Sequence, residues 1–236
     1  MASFVLVPGA GGMAWYWHRV VPLILAAGHE PIAVDLPGDD SQAGLAAYAD
    51  IVIRAFAERS DVVLVAQSLA GFTVPLICAR ASVRMVVFVN AMIPKPGETA
   101  GAWWGATGAV EAREQAAARR GYATKFDVGT YFLHDVPQDV LRAGPEQPRE
   151  EAETFSASPV ASSAGLTSRF MLLRERTTGF SRSNCNGVSP VKGSERRWRK
   201  FPVAISSRCR MRKDWRSALS TSDIGSEKQT SQTPLT

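Results

Sequence analysis

Cysteine and histidine are both scarce in this chain. The three cysteines, Cys78, Cys185 and Cys209, are an odd number without a CxxC pair or Cys/His ligand spacing. This pattern argues against a disulfide framework and against a zinc site, and it predicts free thiols. We accordingly expect neither a metal nor any other cofactor.

Long apolar stretches are also missing. No run approaches the about eighteen consecutive apolar residues that a membrane span requires. The N-terminus, MASFVLVPGAGG, lacks the basic start and the long apolar core of a signal peptide. With 236 residues, of which 45% are hydrophobic and 21% charged, the composition is that of a globular protein. We therefore expect a soluble, cytoplasmic protein with no membrane partner.

Positive charge is concentrated at one end of the chain. Residues 177–236 contain 12 Lys and Arg against 4 Asp and Glu, whereas residues 1–176 contain 15 against 18. The basic segment also has 11 Ser and no sustained period of 2 or 3.6 residues, so we predict a disordered tail. A nucleic-acid binder is an alternative, but the tail has no aromatic-basic motif of a known fold. We expect no nucleic-acid partner.

The first 95 residues alternate apolar strands with helices. The pattern predicts strands at 3–8, 30–36, 61–66 and 84–89, and helices at 15–27, 45–57 and 70–81. Such alternation is typical of an α/β fold, in which a mostly parallel sheet carries helices on both faces. We predict that residues 1–95 form the N-terminal part of this core.

The middle of the chain has a different composition. Residues 96–155 are rich in Ala, Glu, Arg and Trp without a strand-like run, which predicts a helical cap. Within residues 156–176, the segment FMLL at 170–173 is predicted to be a late core strand. The C-terminal part of the fold is expected to be incomplete or disordered.

One serine lies where a strand is predicted to give way to a helix. In VVLVAQSLAGFTVPLICA, Ser68 is flanked two residues away by Ala66 and Ala70. Small flanking residues permit the strained turn, called a nucleophile elbow, that exposes a serine hydroxyl at a helix N-terminus. The alternative is a buried turn serine or a helix N-cap.

A serine that attacks a carbonyl needs two N–H donors directed at the developing oxyanion. Leu69, the residue after the serine, supplies one, and the glycine-rich turn PGAGG after the first strand supplies the other, through Ala10. The alternative for this turn is a phosphate-binding loop. GAGGMA lacks the GxGxxG spacing, and no GK[ST] follows.

These segments together resemble the α/β-hydrolases, and within them the small esterase group of plant methylesterases, hydroxynitrile lyases and their bacterial relatives. The similarity rests on FVLVPGAGGMAWYWHRVVPLILAAGHEPIAVDLPG, VVLVAQSLAGFTVPL and VVFVNAMIPKPGE, followed by AWW and YFLHDVP in the cap. It covers residue 1 to about residue 153. It implies the α/β-hydrolase fold, a Ser68 nucleophile, Ala10 and Leu69 as oxyanion donors, and a small-molecule ester as substrate.

The chain departs from this family at several positions. Pro8 stands where the family usually has histidine, and alanines replace both elbow glycines. For the cap, we consider Trp103, Trp104 and Phe132 as the lining of an acyl pocket, with packing inside the cap as the alternative.

The remaining members of a catalytic triad have no match. The base should be a histidine after the last strand, but His18 and His29 precede the serine and His134 lies in the cap. At the position of the family's triad aspartate stands Arg176, which cannot orient an imidazolium. Either the hydrolase is impaired or the protein is non-catalytic.

A change of reading frame is a second explanation for the missing residues. If the frame of TTGFSR at 177–182 is shifted upstream by one nucleotide, the genetic code permits DHRFFP, which resembles the family's acid segment. The same shift applied to VAIS at 203–206 permits GGHL, which resembles the family's histidine turn. A frameshifted hydrolase-like protein is therefore an alternative to an intact enzyme.

Overall fold

The computed structural model describes residues 1–145, 149–160 and 169–173. The predicted disordered tail at 177–236, and the predicted incompleteness of the C-terminal part, lie outside these residues. So does Arg176.

A parallel sheet of five strands forms the centre of the molecule. The strand order is β2-β1-β3-β4-β5, and every neighbouring pair is parallel. The strands are β1 (Ser3–Val7), β2 (Glu30–Ala33), β3 (Val62–Gln67), β4 (Met85–Val89) and β5 (Arg169–Leu173). The predicted α/β class is confirmed, and β5 lies where the FMLL segment predicted a strand.

Seven α-helices accompany the sheet in the described part of the chain. They are α1 (Val21–Ala26), α2 (Leu45–Ala55), α3 (Val74–Cys78), α4 (Ala100–Thr107), α5 (Ala109–Arg120), α6 (Gln138–Arg142) and α7 (Glu153–Ala157). Short 3-10 helices span Ala14–Trp17 and Ser68–Phe72, and a π-helix spans Gly129–Leu133.

Two of the predicted helices begin later than expected. The segment predicted as one helix at 15–27 is a 3-10 helix followed by α1, and the one at 70–81 contracts to α3. Pro22 and Pro75 explain both differences. Proline lacks the backbone N–H that a helix interior needs, so each proline stands in the first turn of the shorter helix.

The hydrophobic core has two layers, one on each face of the sheet. Alternate residues of a strand point to opposite faces. Thus Leu64 joins the layer that contains Tyr48 of α2 and Ile77 of α3, whereas Val65 joins the layer that contains Trp17 and Ile24. Helices therefore cover both faces, as predicted.

The described chain between β4 and β5 includes the segment 96–155, which we call the cap because a helical cap is predicted there; its role as a cap stays a prediction. Its helices are α4 to α6 and the π-helix, and α7 follows them. Two buried aromatic side chains from this part of the chain, Trp103 on α4 and Phe155 on α7, belong to the core layer.

Candidate active site

The turn after β3 places Ser68 in a strained backbone conformation. Gln67 ends the strand with extended backbone, and Ser68 begins the 3-10 helix with a φ of 49°. Among the described non-glycine residues, only Ser68 and Asn90 have positive φ. Left-handed backbone is costly for a residue with a Cβ and is concentrated at functional turns. The sharp strand-to-helix turn predicted for Ser68 is present.

Two glycines make room for this turn. A Cβ on Gly9 would lie 2.9 Å from Ser68 Cβ and 3.5 Å from Ser68 Oγ. A Cβ on Gly71 would lie 1.8 Å from the carbonyl oxygen of Met92, whose own N–H donates to the Ser68 carbonyl at 3.0 Å. The elbow therefore depends on Gly9 and Gly71.

The glycine-rich turn at residues 8–12 lies directly against this elbow. The Gly9 N–H donates to Gln67 Oε1 at 3.3 Å. Within the turn, the Gly12 N–H donates to the Gly9 carbonyl at 3.0 Å. Ala10 is exposed in this turn, and Leu69 is buried in the elbow. The convergence of the Ala10 and Leu69 N–H groups on Ser68 Oγ stays a prediction.

A narrow crevice lies between the turn and the elbow, and it has no room for a water molecule. Ligand pockets usually have about 300–1,000 Å³, so the crevice in this conformation is too narrow to hold a substrate. The core and the segment around α7 line it together, through Pro8, Gly9, Leu36, Tyr48, Leu69, Ala70, Glu151 and Phe155.

Glu151 is the carboxyl group of the crevice, and sequence reasoning missed it. Its Oε2 accepts from the Gly11 N–H at 2.8 Å, and its Oε1 accepts from the Tyr48 hydroxyl at 2.6 Å. Burial raises the pKa of the Glu151 carboxyl, and the two hydrogen bonds and the charge of Arg149 oppose this rise. Burial and the neighbouring Glu151 raise the pKa of Tyr48, which keeps its hydroxyl protonated as the donor.

The three cap aromatics considered for an acyl pocket lie elsewhere. Trp103 is 7% exposed within the core layer, and Trp104 packs edge-on against it with ring centroids 5.4 Å apart. Phe132 is 62% exposed and contacts the ring of Phe126. None of the three lines the crevice described above. The two tryptophans pack at the main core cluster, and an acyl-pocket role for the three residues stays a prediction.

None of the three histidines has a hydrogen bond to Ser68 among the described residues. His18 stacks on Trp15 with centroids 4.2 Å apart, and its Nδ1 lies 2.9 Å from the Trp15 carbonyl. The Nδ1 of His29 accepts from the Ala2 N–H at 3.3 Å. His134 is exposed at the end of the π-helix. In the described residues, Ser68 therefore has no histidine partner.

No helix among residues 1–145, 149–160 and 169–173 is long and apolar enough to cross a bilayer. Within the same ranges, no group of three or more His, Cys, Asp or Glu side chains is arranged to hold a metal ion.

Comparison with known proteins assigns the family. Residues 4–219 match the alpha/beta hydrolase family. The chain belongs to this family, as its strand, turn and serine motifs predicted. The match continues past residue 153, where the motif resemblance was expected to end.

Curated relatives match over about two-fifths of their own length. They include a probable esterase, PIR7A, of Oryza sativa subsp. indica, 34% identical over 42% of this chain and 42% of the relative. Methyl jasmonate esterase 1 of Vitis vinifera is 31% identical over 39% and 40%. The alpha-hydroxynitrile lyase of Arabidopsis thaliana is 29% identical over the same shares. The predicted resemblance to plant esterases and hydroxynitrile lyases is confirmed.

Solved structures share the fold. Polyneuridine aldehyde esterase superposes with a TM-score of 0.57 at 18% identity, over 74% of this chain and 80% of that one. An extracellular alpha/beta-hydrolase from a Paenibacillus species superposes with a TM-score of 0.59 at 16% identity, over 74% and 78%. At these identities the likeness establishes the α/β-hydrolase fold.

Proposed function

We propose that the protein is a serine hydrolase of small esters, with Ser68 as the nucleophile and the N–H groups of Ala10 and Leu69 as oxyanion donors. One observation carries the proposal: Ser68 has a φ of 49° at the end of β3, and its side chain lies against Gly9. That strain is expected of a nucleophile elbow and has no use in an ordinary helix N-cap. The esterase names of the relatives support an ester as the substrate.

In the proposed reaction, Ser68 Oγ attacks the ester carbonyl carbon, and the carbonyl oxygen gains negative charge in front of the two N–H donors. Collapse of the tetrahedral intermediate expels the alcohol and leaves an acyl-serine. Water then attacks this acyl group and releases the acid and the free serine. A base takes the Ser68 proton during the attack and gives it to the departing alcohol; in the second half it takes a proton from the attacking water and gives it to Ser68 Oγ.

The proposed reaction needs a base, and no histidine of the described residues supplies it. In the described residues no hydrogen bond joins Ser68 to a histidine, so the serine is a neutral alcohol at pH 7 without a histidine acceptor. Loss of a triad member lowers turnover in serine enzymes by about 10⁴- to 10⁶-fold. We therefore expect slow ester hydrolysis that still depends on Ser68.

Hydrolysis of p-nitrophenyl acetate by the purified 236-residue chain tests the proposal, with Ser68→Ala as the control. Slow release of p-nitrophenol that disappears in the Ser68→Ala variant is the expected result. Equal rates in both proteins would refute a nucleophilic Ser68. Fast Ser68-dependent turnover would instead reveal a working base and contradict our interpretation of the missing triad.

A non-catalytic or frameshifted hydrolase-like protein is the second candidate, favoured by the positions of the three histidines. Sequencing the genomic DNA around codon 177 tests it, because one inserted or deleted base there would restore the family's acid and histidine segments. An intact reading frame would exclude the frameshift.

Cyanohydrin cleavage is a further alternative, since one relative is named a hydroxynitrile lyase. Release of cyanide from a cyanohydrin, measured beside ester hydrolysis, separates the two chemistries. The cytoplasmic location also belongs to this proposal, and fractionation of cells that express the protein tests it.

A further inference from the structure

Glu151 connects two parts of the core that are far from it in sequence. Its carboxylate accepts from the N–H of Gly11, 140 residues earlier, and from the hydroxyl of Tyr48, 103 residues earlier. Gly11 belongs to the turn that carries Ala10, and Tyr48 is a buried residue of α2. One carboxylate therefore ties the glycine-rich turn to a helix of the rigid core.

The backbone on both sides of Glu151 is itself anchored. The guanidinium of Arg149 donates to Asp35 and to the Leu36 carbonyl, each at 2.7 Å. On the other side, the Ala152 N–H donates to the Gly38 carbonyl at 2.7 Å. These contacts fix the segment to the chain that follows β2, so the Glu151 carboxylate is presented to the turn in a defined position.

Glu151 holds the middle of a turn whose ends are held by other hydrogen bonds, from the Gly9 N–H to Gln67 Oε1 at 3.3 Å and from the Leu36 N–H to the Gly12 carbonyl at 2.7 Å. Gly11 and Gly12 have φ values of 79° and 68°, and glycine backbone changes conformation at little cost. A Cβ on Gly11 would lie 2.3 Å from the Arg149 carbonyl oxygen, so a more restricted residue has no room there. The direction of the Ala10 N–H, the residue between Gly9 and Gly11, is set by this flexible backbone.

We propose that Glu151 is a positioning residue, which holds the glycine-rich turn so that the Ala10 N–H faces the oxyanion formed at Ser68. The consequence for catalysis rests on the proposed function, whereas the tie to the turn does not.

Other roles for Glu151 fit the geometry less well. Both carboxylate oxygens already accept hydrogen bonds, from Gly11 and Tyr48, which leaves the group poorly placed to act as a base. A carboxylate beside an oxyanion would also repel it, so the group does not stabilise the transition state through its charge. Holding the turn is the role that uses both contacts.

Four variants test this role. Glu151→Ala removes both hydrogen bonds. Glu151→Gln keeps a carbonyl oxygen that accepts from the Gly11 N–H, and its amide N–H donates to the Tyr48 hydroxyl. The Tyr48 hydroxyl then donates to the Pro37 carbonyl, which lies 3.3 Å away. Tyr48→Phe removes one support and leaves the bond to Gly11. Glu150→Ala is the matched control, because Glu150 is exposed and has no hydrogen bond or ion pair with the described residues.

The first measurement is hydrogen exchange of the Gly11 amide. In Glu151→Ala we expect exchange to be about tenfold faster, since the amide loses its acceptor. Tyr48→Phe should show a smaller increase, and Glu151→Gln and Glu150→Ala should stay close to the unaltered protein. If the alanine variant does not fold, the increase in Tyr48→Phe carries the test. Unchanged Gly11 exchange in the folded variants overturns the proposal.

The second measurement is the kinetics of Ser68-dependent p-nitrophenyl acetate hydrolysis. Glu151→Ala should lower kcat by about 10- to 100-fold with little change in KM, because a misplaced donor weakens only the transition state. Glu151→Gln should restore most of kcat. A decrease no larger than in Glu150→Ala overturns the positioning role. If the unaltered chain shows no Ser68-dependent turnover, the proposed function fails, and Gly11 exchange alone decides whether Glu151 holds the turn.

Discussion

The core and the cap of this molecule are stabilised to different degrees by burial. Every residue of β1 is buried, and so are the first five residues of β3. In the cap, α5 buries two small side chains, Ala109 and Ala117, while large apolar side chains nearby remain exposed. The elbow is therefore built on the part of the chain that burial holds most firmly, and the cap contributes to the site mainly through its last turns.

The largest expected effect is a difference in stability between two phenylalanine-to-alanine variants, one in the core and one in the cap. Phe72, which ends the elbow's 3-10 helix, is fully buried in the core, whereas Phe132 of the cap is 62% exposed. Phe72→Ala should lower the free energy of unfolding by about 3–5 kcal/mol through the cavity that it leaves. Phe132→Ala should change it by no more than about 0.5 kcal/mol.

Urea denaturation of both variants measures this contrast. Equal destabilisation by the two substitutions would show that the cap is part of the same packed core. Ester hydrolysis by Phe132→Ala adds a separate test. A decrease in activity without a decrease in stability would support a role for Phe132 in binding the substrate.

A second pair of substitutions compares two glycines. Gly9→Ala would place a Cβ 2.9 Å from Ser68 Cβ, so the turn or the elbow must shift. We expect a loss of about 1–3 kcal/mol in stability and a loss of Ser68-dependent hydrolysis. Gly105 lies within α4, where an added Cβ would meet no atom within 4 Å. Gly105→Ala should therefore raise stability by about 0.5–1 kcal/mol.

Thermal melts and p-nitrophenyl acetate assays of the two alanine variants decide this comparison. If Gly9→Ala keeps both its stability and its Ser68-dependent activity, the turn does not have to approach the elbow as closely as the structure shows.

The sequence predicted the core far better than the crevice. β1, β3 and the Ser68 turn follow from continuous apolar runs and small flanking residues, which are local signals. Nothing local separates Glu151 from Glu150, since both lie in one acidic stretch, and only the fold brings Glu151 to Gly11. The shortened helices are different, because Pro22 and Pro75 mark the first turns of α1 and α3 and could have corrected the prediction.

The smallest expected effect concerns pH and an ion pair at the edge of the core. Glu30, the first residue of β2, accepts from the Arg59 guanidinium at 2.7 Å and from the Ser3 hydroxyl at 2.6 Å. These hydrogen bonds lower the pKa of Glu30 from 4.5 to about 2.

Since the folded pKa is the lower one, the folded protein holds this carboxylate ionised where the unfolded chain binds a proton. The stabilisation is therefore complete above pH 4.5 and is lost as the pH falls towards 2. Glu30→Gln should flatten the melting temperature over this range, whereas Glu150→Gln should not, because Glu150 is exposed and has no hydrogen bond or ion pair with the described residues. Parallel pH dependence in the unaltered protein and in Glu30→Gln would show that the pair with Arg59 does not contribute to stability.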